Sequence, residues 1–122
     1  MSLAGVARVA RKHGLRMVVL FGSRVRGTHR PDSDWDLCVV IGSRAADPID
    51  LTNDFSRATG TRADVVFSHR AGPLLRYHAL FHGRLLFGRR AEFERLRLRV
   101  LKEWQDMGKI DAAVRCSLGR ES

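Results

Sequence analysis

A chain of 122 residues, 44% of them hydrophobic, is the length of one compact domain and needs no disulfide or metal merely to fold. It has no apolar run long enough to cross a bilayer, and its opening MSLAGVARVARKHG lacks the apolar segment and cleavage site of a signal peptide. The formal net charge of +9, with 19 of the 22 basic residues arginine, permits contact with nucleic acid, nucleotide or an acidic protein, but the arginines are spread and no zinc-finger spacing, aromatic-rich RNA-binding signature or helix-turn-helix goes with them.

In chain order, Leu3, Val6, Ala7 and Ala10 recur at helical spacing before Gly14, which predicts a helix over about 2–13. RMVVLFG gives a first strand, about 16–21. GSRVRGTHRPDS is turn-rich and basic. DWDLCVVI reads as a second strand, about 34–41, and Pro48 opens a helix that ends near Gly60. RADVVFS is a third strand, about 62–67. A helix between Gly72 and Gly83 leads to a short fourth strand, RLLFG. The last helix, about 89–107, carries the apolar stripe Phe93, Leu96, Val100, Trp104 and Met107, and a less patterned tail covers 108–122. No repeat or linker divides 1–122, so a single domain is expected. Two strands joined without a helix favour an α/β (α+β) fold, with a small mixed β-sheet of about four strands packed with helices. Cys38 in a strand and Cys116 in a polar tail suit two reduced thiols, and a cytoplasmic location is expected.

The chemistry lies where strand rules are broken. Asp is a poor strand former, yet Asp34 and Asp36 open the second apolar run. Strand alternation points both the same way, about 6–7 Å apart, where they repel by ~2–3 kcal/mol at an effective dielectric near 20. A divalent cation offsets that repulsion, and a few oxygen ligands suit Mg²⁺, which keeps water and phosphate as its other ligands. Asp64 begins DVVF in the same odd manner, and its strand could lie beside the second. Three acids at one sheet edge can hold two metal ions for a phosphoryl displacement. Gly22 and Ser23 end the first strand with a close-approach backbone and free amides suited to phosphate, and Arg24 and Arg26 follow as candidate phosphate contacts.

Gly22-Ser23, ten residues, then Asp34-Trp35-Asp36 resembles the GS-x10-DxD signature of the DNA polymerase β-like nucleotidyltransferase superfamily. The fuller string GSRVRGTHRPDSDWDL looks like the minimal nucleotidyltransferase (MNT) group, commonly the antitoxin partners of all-helical HEPN toxins. The resemblance runs from the first strand through Asp64, the helix–GRLLFG ending also looks similar, and the final helix and tail add little. It implies that Gly22 and Ser23 hold the β- and γ-phosphates of ATP, that Asp34 and Asp36 bind both Mg²⁺ ions, and that Asp64 binds the catalytic ion and helps deprotonate an acceptor hydroxyl. It implies transfer of AMP to a hydroxyl of a HEPN toxin, which silences it. Two alternatives stand beside it: an antitoxin acting by binding alone, and a nucleotidyltransferase for a small molecule or RNA. The room left after Gly88 makes an acceptor supplied from outside the expectation.

Other patterns carry blander readings. PDSD suits a capped turn for Asp32 and Asp34, but not for Asp36, which LCVV follows. GSRVRGT has P-loop glycine spacing with Thr28 where lysine belongs. His78 and His82, four apart, lack a third ligand and read as partly exposed helix residues. Arg76 and His82 loosely echo the HEPN Arg-x-His pattern, but that fold has no strands. Cys38 reads as a small core residue, and the last apolar stripe as core or, if uncovered, a docking surface.

Overall fold

The continuous apolar run MVVLF, buried on both faces, builds the strand on which the molecule is organised. The computed structural model describes residues 3–28 and 30–118, the side chains of 109–118 excepted. Helix α1 is Leu3–Lys12, strand β1 Leu15–Phe21, the single-turn helix α2 Ser23–Arg26 and strand β2 Trp35–Ile41. Helix α3 is Pro48–Thr59, β3 Ala63–Phe67, α4 Pro73–Arg76, β4 Arg84–Phe87 and α5 Arg90–Leu118. The sheet order is β3-β2-β1-β4, with β1 antiparallel to both β2 and β4 and β2 parallel to β3. This is the mixed four-stranded sheet expected from the sequence.

Helices cover both faces. A register irregularity between Leu15 and Met17 lets Leu15 share a face with Val18 and Leu20. That face, with Trp35, Leu37 and Val39, packs on Val6, Val9 and Ala10 of α1 and on Leu51 and Phe55 of α3. The opposite face presents Met17, Val19 and Cys38 to Ala79, Leu80, Phe93 and Val100. Burying a large aliphatic or aromatic side chain contributes about 1.5–3 kcal/mol, so these two layers dominate stability. Asp47 caps α3, its Oδ1 accepting from the Ile49 and Asp50 amides at 2.9 and 3.1 Å, with Pro48 in the first turn. No helix among the described residues is long and apolar enough to cross a membrane.

The structure departs from the sequence reading in three elements. The strand with the two acids begins at Trp35, so Asp34 sits just before it. The helix between Gly72 and Gly83 is one α turn followed by a π-type turn over Tyr77–Phe81. The two differ by one residue in hydrogen-bonding span, which ten residues of pattern do not resolve. The last helix passes Gly108 and continues to Leu118. One glycine costs a helix about 1 kcal/mol, and good helix formers follow it, so it does not stop this one. The side chain of Cys116 and the tail end 119–122 lie outside the described residues.

Candidate active site

Sheet register brings the acids together. Phe21 of β1 is opposite Asp36 of β2, and Asp36 is opposite Asp64 of β3. Residues in register on parallel neighbours face the same way, so Asp36 and Asp64 share one face. It is the face of Cys38, covered further along by α5. The Trp35 amide donates to the Arg62 carbonyl at 2.9 Å and fixes the starts of β2 and β3 relative to each other. Asp36 has its pKa raised, first by burial, then by the charges of Asp64 and Asp34, with Arg26 pulling the other way. The three carboxylates therefore share one field. Asp64 Oδ1 lies 3.5 Å from Arg62 Nε, an exposed pair. Among the described residues, no three His, Cys, Asp or Glu side chains already stand close enough to hold a metal ion. The donor type and shared face fit Mg²⁺, and the mutual repulsion at Asp36 is what a cation would relieve.

Gly22 stands against the acids. Its φ of 82° is in the left-handed region, and a Cβ there would overlap Asp36 Oδ2. Only glycine lets β1 turn into α2 with the carboxylate this close. The Val25 and Arg26 amides donate to the Gly22 carbonyl at 3.2 and 3.3 Å, so α2 begins at Ser23 and its first amides lie at the corner. Ser23 is partly exposed there, and its carbonyl accepts from the Thr28 amide at 3.1 Å.

The two arginines separate in role. Arg24 turns away from the corner. Its Nη2 donates to the carbonyls of Ser33 at 2.7 Å and Pro31 at 3.3 Å, its Nε to Ser33 at 3.2 Å, and it stacks 4.2 Å from the Trp35 ring centre. It clamps the loop that delivers Asp34. The tight turn from Arg30 to Ser33 closes that loop, with Ser33 donating to the Arg30 carbonyl at 3.0 Å and Arg30 donating to Ser33 Oγ at 2.8 Å. Sequence reasoning missed this clamp, for which turn-rich GTHRPDS beside an aromatic was the available signal. Arg26 is exposed and faces a cavity of about 430 Å³ that Gly22, His78 and His82 also line. Arg76 serves the scaffold: its Nη1 donates to the Ser68 carbonyl at 2.8 Å, and its Nε lies 3.3 Å from Glu103 Oε2 without hydrogen-bond alignment. Cys38 is fully buried, and burial pushes its thiol pKa up to about 12, as suits a core residue.

The acids, the glycine corner and an adjoining cationic cavity form an arrangement suited to nucleoside triphosphates. The chain matches solved structures over nearly its whole length. One chain of a toxin–antitoxin crystal structure with AMP-PNP superposes with a TM-score of 0.80 at 21% identity, covering 97% of this chain and 98% of that one. A toxin–antitoxin MntA-HepT structure matches with a TM-score of 0.72 at 19% identity, covering 95% of each. A tri-AMPylated Shewanella oneidensis HEPN toxin in complex with MNT antitoxin matches with a TM-score of 0.72 at 19% identity, covering 95% of this chain and 94% of that one. These likenesses establish the fold. No curated protein sequence matches significantly. The sequence profile described as Polymerase beta, Nucleotidyltransferase matches residues 6–92, from α1 through the first turn of α5, and the chain belongs to that nucleotidyltransferase family.

Proposed function

We propose that the chain is an Mg²⁺-dependent adenylyltransferase and a cytoplasmic antitoxin, which moves AMP from ATP to a hydroxyl of a HEPN-type toxin and neutralises it. One observation carries the reading: Asp36 and Asp64 sit in register on adjacent strands, with Asp34 close by, against a corner that only Gly22 can form. The similar structures support it, since one holds AMP-PNP and another an AMPylated HEPN toxin.

The residues divide the work by position. Gly22 and Ser23 hold the β- and γ-phosphates through backbone amides. Asp34, Asp36 and Asp64 would hold magnesium, which supplies charge neutralisation for the triphosphate. Asp64, on the edge strand and open to solvent, receives the acceptor proton. The acceptor oxygen attacks the α-phosphorus in line. A new oxygen–phosphorus bond forms, the bond to the β-phosphate bridging oxygen breaks, and pyrophosphate leaves with that electron pair. Arg24 acts through the loop, holding Asp34 in place.

The test is transfer of label from α-labelled ATP to the toxin partner. Label is expected with the wild-type chain and magnesium, and is lost with Asp34→Ala plus Asp36→Ala. Transfer that survives this double change overturns the assignment of those carboxylates. In a second reading the antitoxin works by binding alone. Full neutralisation of the toxin by the same double variant would support it.

A further inference from the structure

The cavity beside Gly22 has a second wall that the acid cluster does not use. Leu75 of α4, His78 of the π turn and His82 just after it build that wall, opposite Gly22 and Arg26. Residues four apart on a helical segment present one side, and the two imidazole rings lie 6.1 Å apart, 28° from parallel. His82 is held by edge-on contacts with Tyr77 at 5.0 Å and Phe81 at 5.2 Å. Tyr77 in turn stacks on Trp104 of α5 at 5.1 Å. Gly83 seats the segment, because a Cβ there would overlap the Ala79 carbonyl and Val19 of β1. The histidines thus sit on a braced support at the Gly22 end of β1.

The geometry points to a polyphosphate site: Arg26, His78 and His82 contact the β- and γ-phosphates of the nucleotide, and then the departing pyrophosphate. This assignment rests on the nucleotidyltransferase reading and extends the glycine corner to a facing wall. Among the described residues, none of those lining the cavity carries a carboxylate, so the lining suits an anion. An imidazole offers an N–H donor whether neutral or charged, and the guanidinium offers several. The strand order also selects the phosphate end. Asp64, where the acceptor enters, is on β3 at one edge, while the cavity adjoins β1, two strands away. In an in-line displacement the leaving group departs opposite the attacking oxygen, which is toward the cavity.

Calorimetric titration of the full chain in magnesium, with inorganic pyrophosphate, ATP and AMP as separate probes, tests the assignment without any acceptor. The wild-type chain is expected to bind pyrophosphate and ATP. His78→Ala with His82→Ala weakens both by about a hundredfold, in line with losing two hydrogen bonds to a charged group, and leaves AMP unchanged. Because His82 packs against aromatic rings, His82→Phe keeps the packing and removes the donor, and it is expected to weaken pyrophosphate as well. Unaltered pyrophosphate affinity in both variants overturns the assignment. So does an equal loss for AMP, which would make the cavity a nucleoside pocket, and so does a wild-type chain that binds no pyrophosphate. A chain that binds pyrophosphate through these histidines but transfers no nucleotide would overturn the transferase reading alone.

Discussion

At the residue scale, the site is held in an unfavourable charge state. The raised pKa of Asp36 means that its ionised form is disfavoured in the folded chain relative to an exposed aspartate, through burial and the fields of Asp64 and Asp34. Such a shift destabilises the fold at neutral pH, and the penalty disappears as pH falls below the ordinary carboxylate pKa and Asp36 is protonated in both states. Asp36→Asn is therefore expected to raise the melting temperature at pH 7 without divalent cations, and the gain should shrink toward zero as pH falls below about 4. Magnesium should raise the melting temperature of the wild-type chain and not that of the variant. The same change should cut AMP transfer by more than about a hundredfold, since even an outer-shell partner of a metal costs 10–100-fold. Melting curves across pH, with and without magnesium, check the first part, and labelled transfer checks the second. A variant less stable than wild type at pH 7 would show that Asp36 is a structural acid.

At the element scale, α1 is tied to α3 by Asp54. Its Oδ2 accepts from His13 Nε2 at 2.8 Å and from Lys12 Nζ at 2.9 Å. These hydrogen bonds, His13 first, lower its pKa to about 2. A depressed carboxylate contributes stability that is fully present above its unfolded pKa near 4 and is lost as pH falls through the folded value. Asp54→Asn should thus melt lower than wild type from pH 7 down to about 4, and the difference should close as pH approaches 2. Melting series at matched ionic strength measure this, and a gap that persists at pH 2 would assign the contribution to packing. This tie was not legible in the sequence, because Lys12 and Asp54 are 42 positions apart and only the fold pairs them. The elements themselves were legible: short apolar runs between turn formers marked all four strands, and Pro48 and Gly60 bracket α3 as their chemistry requires. The acid row was legible too, because Asp at the start of DLCVV and DVVF conflicts with strand propensity. The role of Arg24 was not, since an arginine after Gly-Ser suits phosphate as well as it suits a loop carbonyl. His78 and His82 were visible as a spaced pair, but their position beside Gly22 depends on β1 meeting the π turn, which no local pattern encodes.

For the whole molecule, the question is whether the site opens separately from the core. Asp36 and Cys38 occupy one face of β2, and β2 lies between β1 and β3 with helices on both sides. Cys38 has no exposure, and its thiol pKa of about 12 leaves little thiolate at neutral pH. In a Cys116→Ser chain, Cys38 is then a single reporter two residues from the candidate site. If the sheet opens only by global unfolding, a thiol reagent should label it roughly 10³–10⁸ times more slowly than in the denatured chain, matching the unfolding constant from denaturant titration. Nucleotide binding supplies the discriminating arm. Magnesium and ATP at one hundred times the dissociation constant stabilise the native state by about 2.7 kcal/mol, so globally gated labelling should slow about a hundredfold. Labelling that ignores nucleotide would mean that Cys38 is exposed by a local opening that leaves the acid row paired, as when the π turn and α5, which supply Ala79, Leu80, Phe93 and Val100, lift off that face. Labelling slowed by magnesium and ATP would instead mean that the opening that exposes Cys38 also takes the acid row apart, so the experiment reports whether Asp36 and Asp64 stay paired while the core opens.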